Sequence, residues 1–407
     1  MRVTMLTTRL FDRPASGGEV CTARLLQALQ TAGHQVRLIG RGQASGALSI
    51  GPLEPAFDEQ SWHRRAAALA GAWMAGEAST VHRLATHGAA RRAADALLAA
   101  PMDALVVDHL QAWAWARAVR SRLPAPLLVL HNLESAGYAE QARQCTGLRA
   151  RVLQREARLL EALEADALHH AAAVACLSEH DALALPRGPA RLLQLPGYPL
   201  HEPAARLPGE VARDVDVVIG MLGTWTWAPN RAALRWMLAE VLPWLGPSCR
   251  LVLAGSGLDR LPVPLPAGPC PQVQVLGRVA DVDDFYRAVD VVALPSLQGS
   301  GVQEKAIEAI ARARAVVATP HALRGLGPGL PGHVRQAGTA GDFAAACCMV
   351  VPAEAADRRA VRQWAQQRAV AYQQQLLRGL LDSAATRPAA RGAAHADAHG
   401  VAGLSVR

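Results

Sequence analysis

The segment "SLQGSGVQEKAIEAIARARAVVATP" (296–320) contains Lys305, and every other basic position among the 42 Lys+Arg is arginine. Before it come a strand, "VVALPS" (291–296), and a turn with two glycines, "LQGSG" (297–301); a helix is predicted over 302–313. Strand, glycine turn and helix start together make an anion site, because unpaired backbone N–H groups point outward and glycine lets a phosphate approach the backbone. A cation in the first helical turn opposes the dipole at a cost of about 0.3–1 kcal/mol, a sign that a bound diphosphate reverses. The compact ammonium of lysine suits a tight phosphate site better than the planar guanidinium fork. Glu308 lies one turn on from Lys305, where a carboxylate accepts two hydroxyls, as from a ribose. Spacing alone equally allows Glu304, Lys305 and Glu308 to be a solvent-facing ion cluster, worth only a few tenths of a kcal/mol.

These residues need a scaffold, and the chain supplies two series of strands. In the first, "RVTMLTT" (2–8), a turn "PASGGE" (14–19), a helix "VCTARLLQALQTAG" (20–33) and "HQVRLIG" (34–40) form a βαβ unit, followed by strands in "DALVVDH" (103–109), "PLLVLHN" (126–132) and "AAVACLSEHDALAL" (172–185). The strands are near-continuously apolar, as parallel strands buried on both faces must be. The second series runs "VDVVIGML" (215–222), "CRLVLAGS" (249–256), "VQVLGRV" (273–279), "VDVVALP" (289–295) and "AVVATP" (315–320). The Pro/Gly-rich stretch between the series has no period and reads as a linker. The expected division is an N-terminal domain over 1–197, a linker over 198–214, a second domain over 215–353, C-terminal helices over 354–385 and a disordered tail over 386–407. Two doubly wound sheets leave a cleft facing the carboxyl ends of their strands, where open α/β sheets bind ligands.

Composition narrows the partners. Net charge is +8, yet aromatics are only 4% and the arginines are dispersed along Ala/Leu-rich helices, which argues against nucleic acid. Arginines beside apolar helical faces in "HRRAAALAGAWMAG" (63–76) and "RARVLQREARLLEAL" (149–163) make an inner-membrane surface the more natural polyanionic partner. Seven cysteines without a CxxC pair indicate neither a zinc ribbon nor a disulfide framework. No apolar run is long enough for a spanning helix or a signal-peptide core, and the expected location is cytoplasmic, peripheral to the membrane. His395 and His399, at i and i+4 in the tail, are not read as a metal site.

"GSGVQEKAIEAIARARAVVATPHALRGL" (299–326) resembles the donor-site segment of retaining glycosyltransferases of family four. Further pieces fall in that family's order: "GG" (17–18) before a helix, "HNLES" (131–135), "GTWTWAPNRAALRWMLAEVLPWL" (223–245), and "LVLAGSG" (251–257) before "VLGRVADVDDFYRAVDVVALPS" (275–296). The resemblance covers residues 1 to about 380 and is strongest for sugar transferases of exopolysaccharide gene clusters. It implies an α/β GT-B fold, two Rossmann-like doubly wound domains facing a central cleft, with the terminal helix crossing back to the first. The donor is then a nucleoside-diphosphate sugar with no further cofactor, and the acceptor a glycan or lipid-linked hydroxyl. By position, the resemblance implies that Glu308 holds the ribose, that Gly277, Arg278 and Val279 line the base, and that Gly17 and Gly18 approach the diphosphate. His131 corresponds to a histidine that hydrogen-bonds the donor sugar, with His109, Asn132 and Glu134 as nearby candidates.

Two departures stand out. Ser300 occupies the place of the first glutamate of the usual family pattern, and "TWTWAPN" (224–230) replaces its Arg/Lys pair. Phosphate neutralisation then falls to Lys305 with the helix start at Ser300 and Gly301. The acidic "DVDD" (281–284) precedes a helix whose dipole it complements, and no metal is expected. A degenerate nucleotide-sugar-binding subunit and a nucleotide-sugar epimerase remain alternatives. The absence of GxGxxG after the first strand disfavours a dinucleotide oxidoreductase.

Overall fold

A computed structural model describes residues 1–53, 61–85, 88–185, 188–201, 215–260, 273–299, 301–313, 315–349 and 355–386. Its strands in chain order are β1 (Arg2–Thr7), β2 (Gln35–Gly40), β3 (Leu48–Ser49), β4 (Ala104–Asp108), β5 (Leu127–Leu130), β6 (Ala173–Cys176) and β7 (Arg191–Gln194), then β8 (Val217–Leu222), β9 (Cys249–Ala254), β10 (Val273–Gly277), β11 (Val291–Leu294), β12 (Ala315–Ala318) and β13 (Val334–Gln336). Two sheets result, ordered β3-β2-β1-β4-β5-β6-β7 and β10-β9-β8-β11-β12-β13. Every named pairing is parallel. Strand order reverses between β1 and β4 in the first sheet and between β8 and β11 in the second, and the crevice outside such a switch point receives ligands in doubly wound folds.

Burial explains why these segments are strands. All residues of β4, β5, β11 and β12 are buried, as layers of helices on both faces of each sheet demand. Of the four edge strands, β10 is visible in the sequence, whereas β3, β7 and β13 do not stand out, because they are only two to four residues long. β7 runs up to the Pro/Gly-rich stretch and ends just before Pro196 and Gly197. Helix bounds shift modestly. The first helix is Gly17–Thr31, opened by Ser16 accepting from the Glu19 N–H, and the helix carrying Lys305 is Glu304–Arg312, with Gln303 at its N-cap. Residues 202–214 of the expected linker and 387–407 of the expected tail, including His395 and His399, lie outside the described residues.

One helix, Ala355–Ala385, stands where the sequence suggested one or two. Its Trp364 packs into the second domain's core, and Tyr372, Leu376 and Leu380, spaced by four, pack against Val106, Leu127 and Leu193 of the first. Between them Arg368 donates to Gly197 O at 2.5 Å and Leu326 O at 2.6 Å, tying together segments from both halves.

The domains also meet through charge. Arg24, on the inward stripe Cys21–Arg24–Leu25–Ala28 of the first helix, forms a two-pronged pair with Glu304 of the second domain, at 3.0 and 2.5 Å. Arg24 is 1% exposed and Glu304 9%, so the pair is effectively dry. Arg24 Nε donates to Tyr198 O at 2.6 Å, and Cys21 Sγ lies 3.1 Å from Glu304 Oε1. Glu304 therefore does not belong to a solvent-facing cluster with Lys305. Removing one member of such a pair strands a buried charge, at about 3–5 kcal/mol, whereas replacing both with apolar groups is close to neutral. Arg24→Met is expected to lose stability of that order and Arg24→Met/Glu304→Met to regain most of it in thermal unfolding; equal losses in both variants contradict the pairing.

Candidate active site

The carboxyl ends of β1, β4 and β5 converge on Asp108, the last residue of β4. This wholly buried carboxylate accepts from Thr7 Oγ1 at 2.9 Å and Thr22 Oγ1 at 2.6 Å on one oxygen, and lies 2.7 Å from His131 Nε2 on the other. His109 Nε2 is 3.8 Å away, and the two imidazoles lie against each other with ring centroids 3.8 Å apart. Burial alone raises a carboxylate pKa. Here the nearby His131 and His109, with hydrogen bonds from His131 and Thr22, outweigh it and hold Asp108 below its ordinary value.

The carboxylate fixes the histidine. With Nε2–H given to Asp108, the remaining nitrogen of His131 is an acceptor, and Nδ1 is buried without a hydrogen-bond partner. Gly18 packs beside this atom: a Cβ at that position would lie at van der Waals distance, 4.0 Å from His131 Nδ1 and 3.8 Å from His109 Cε1. His109 is the only non-glycine residue with positive φ among the described residues, at φ 74° and ψ 142°, a conformation normally left to glycine. Burial, with His131 alongside, lowers its pKa from 6.5 to about 4, so it is neutral at physiological pH.

The second domain brings its glycine turn onto this cluster. A Cβ on Gly301, at φ 73°, would lie 2.8 Å from His131 O, so only glycine permits the approach. Arg324 holds the turn by donating to Gly299 O at 2.7 Å and Gly301 O at 2.8 Å, and Ser296 Oγ donates to Gln303 Oε1 at 2.8 Å. The two helix starts face each other, with Gly17 directly opposite the Cβ of Glu304. Lys305 follows immediately. Its half-buried ammonium donates to Asn230 Oδ1 at 2.9 Å, its only hydrogen-bond partner among the described residues, and Asn230 in turn donates to Thr224 O at 2.9 Å. Burial lowers Lys305 from 10.5 to about 8, with no carboxylate compensating.

A cleft of about 910 Å³ runs between the domains. Of the expected residues, His109, Gly18, Asn132 and Glu134 line it, joined by Gly299 and Trp227. Gly17, His131, Gly301 and Lys305 are not among its lining residues, although Gly17 and His131 adjoin Gly18 and Asn132, which are. Glu308 is half-buried on the Lys305 helix, where burial raises its pKa despite Arg312. Gly277 ends β10 and Arg278 and Val279 follow it; none of the three lines the cleft, Arg278 is exposed, and Gly277 O accepts from the Gly255 N–H at 2.7 Å. Ser300 lies outside the described residues. Trp225 is packed in the core, its Nε1 donating to Ala254 O at 2.8 Å. "DVDD" is a helix start, in which Asp281 accepts from the Asp283 N–H at 2.8 Å while Asp283 and Asp284 pair with Arg312 and Arg287.

The sequence reading missed Asp108 and Arg24. A terminal acid in "DALVVDH" and an arginine on the apolar stripe of the first helix were the available signals. Asp108, His109 and His131 also form the one group of potential metal ligands among the described residues, within 4.8 Å of one another. Both oxygens of Asp108 are already engaged in hydrogen bonds, which a metal would have to displace.

Residues 216–351, which cover only the second domain, match the family described as Glycosyl transferases group 1. Solved structures similar to the whole chain include Anabaena Alr3699/HepE in complex with UDP, at 15% identity and TM-score 0.57, covering 94% of this chain and 100% of that one. The fold is GT-B. An α,α-trehalose 6-phosphate synthase from Burkholderia multivorans aligns at 15% identity and TM-score 0.56, over 94% of this chain and 97% of that one. An α,α-trehalose-phosphate synthase (UDP-forming) from Burkholderia vietnamiensis aligns at 13% identity and TM-score 0.57, over 94% and 100%. No curated protein matches the chain.

The titration of His109 has a testable sign. Its folded pKa of about 4 lies below 6.5, so its contribution to stability is complete above pH 6.5 and is lost as pH falls toward 4, by on the order of 3 kcal/mol. His109→Gly removes the ring and suits the backbone. Thermal unfolding followed from pH 7 to about pH 4 is expected to show a smaller acid loss in this variant; an unchanged loss contradicts the assignment.

Proposed function

We propose that the chain is a metal-independent glycosyltransferase that moves a sugar from a nucleoside-diphosphate sugar to a hydroxyl acceptor, with retention, in polysaccharide or glycoconjugate assembly. Lys305 carries this reading. A half-buried ammonium whose one hydrogen-bond partner among the described residues is a neutral amide, one residue inside a helix start that follows a glycine turn, is a positive charge arranged for an anion. The group 1 glycosyl transferase match over this domain gives that anion a chemistry, the diphosphate of a sugar nucleotide. UDP, present in the Anabaena structure, is the first nucleotide to consider.

In this reading Lys305 and the helix start stabilise charge on the leaving diphosphate as the C1–O bond breaks. Glu308 takes the ribose, Gly277, Arg278 and Val279 flank the base, and Gly17 and Gly18 border the diphosphate from the first domain. Gly301 belongs to the turn before this helix start, and Ser300 is proposed to bind the donor with it. His131 Nδ1 accepts a hydrogen bond from a hydroxyl of the donor sugar, and Asp108 positions it by fixing the tautomer. The acceptor, a glycan or lipid-linked hydroxyl on the cytoplasmic membrane face, enters along the first-domain wall of the cleft and attacks from the side the diphosphate leaves. Neither nucleic acid nor a cofactor beyond the donor has a role.

Thermal shift with UDP, GDP and ADP tests the donor site. A ligand at 100 times its dissociation constant stabilises by about 2.7 kcal/mol. One base family is expected to raise Tm, with the shift retained in excess chelator and lost in Lys305→Ala. An undiminished shift in the variant, or one abolished by chelator, contradicts the reading; no shift with any nucleotide favours a degenerate binding subunit.

A further inference from the structure

The helix Trp62–Met74 inverts the usual order of a surface helix. Small Ala72 faces inward, while Leu69, Trp73 at 59% exposure and Met74 at 83% face outward. Arg155, from the helix Gly147–His170, stacks its guanidinium 4.4 Å from the Trp73 ring centroid and donates to Ala72 O at 3.2 Å. Four and seven positions before Arg155, and so on the same helical face, lie the exposed Arg151 and Leu148, the latter 77% exposed. Segments 61–76 and 147–155 contain five arginines and no Asp or Glu. The neighbouring carboxylates are engaged, Glu77 with His82 and Glu156 with Ser79 and Arg155.

We propose that this face docks the first domain onto an anionic lipid bilayer, with Leu69, Trp73, Met74 and Leu148 entering the acyl boundary and Arg64, Arg149 and Arg151 meeting the headgroups. Charge selects the occupant. A second copy of the chain across a two-fold axis would set arginine against arginine, whereas an anionic surface neutralises all of them. The position serves the cleft, because the next helix, Ser79–Leu84, begins five residues after Met74 and contributes Thr80, Arg83 and Leu84 to the cleft wall. An acceptor carried in that bilayer would meet the cleft beside the docked face. The inference deepens the reading of a membrane-borne acceptor, and its test omits donor and acceptor so that loss of docking and loss of transfer are separable.

Sedimentation of the full chain with phosphatidylglycerol/phosphatidylcholine vesicles, and with phosphatidylcholine alone, tests it. The wild type is expected to pellet with the anionic vesicles only and to be released as salt rises from about 0.1 to about 0.5 M. Trp73→Ser/Met74→Ser should bind at least about tenfold more weakly, and Arg64→Gln/Arg151→Gln roughly fivefold more weakly per arginine, with wild-type Tm and nucleotide response in both. Absence of wild-type binding to anionic vesicles, or equal binding by the Trp73/Met74 variant, overturns the proposal. So does a concentration-dependent dimer that this variant abolishes, which assigns the face to self-association.

Discussion

The ion pair between Arg24 and Glu304 sets the relation on which the rest of the site depends. A carboxylate and a guanidinium are both expensive to dry, so each is tolerated only while the other is in place. Because Glu304 is the first residue of its helix, the pair fixes where that helix begins relative to the first helix of the other domain, and therefore where Lys305 points. Tyr198 O and the long C-terminal helix reinforce the same alignment, the helix through Arg368 and through its apolar stripe in the first domain's core. Burial that would be a liability elsewhere becomes a means of register between two independently folded sheets.

Charge within the site is separated by role. Asp108 is wholly buried, its oxygens held by two threonine hydroxyls and His131 with His109 3.8 Å away, so it orients His131 without being exposed to the cleft. Lys305 is the opposite case, a cation with a neutral partner and a depressed pKa. A dianionic ligand relieves the second without disturbing the first. The residue with the unfavourable backbone, His109, lines the cleft, and the glycine turn of the second domain closes on its neighbour His131.

Much of this was legible in the sequence, for identifiable reasons. Central parallel strands announce themselves because burial on both faces forbids polar interruptions, and "ALVVD", "LLVL" and "VVAL" have almost none. The glycine turn and Lys305 were legible because local chemistry defines them. Of the edge strands, β10 was legible, but β3, β7 and β13 were not, since two to four residues at a sheet margin carry no periodic signal. Helical spacing places Glu304 near Lys305 and Glu308 and equally allows a solvent-facing cluster, and no local rule reveals a partner 280 positions away. Asp108 escaped notice for a similar reason: its four partners come from β1, the first helix, β4's own end and β5's end, which only the folded sheet brings together.

The central claim is that Lys305 is the counter-charge of a bound diphosphate, and proton linkage tests it most directly. Calorimetric titration with the nucleoside diphosphate that binds, at pH 8 in buffers of different ionisation enthalpy, counts protons taken up on binding. With Lys305 at about 8 in the free protein, a dianion beside it pulls the equilibrium toward the ammonium, and uptake of roughly half a proton is expected, vanishing in Lys305→Met. Binding with no proton uptake, or with the same uptake in the variant, would place the diphosphate elsewhere and contradict the claim.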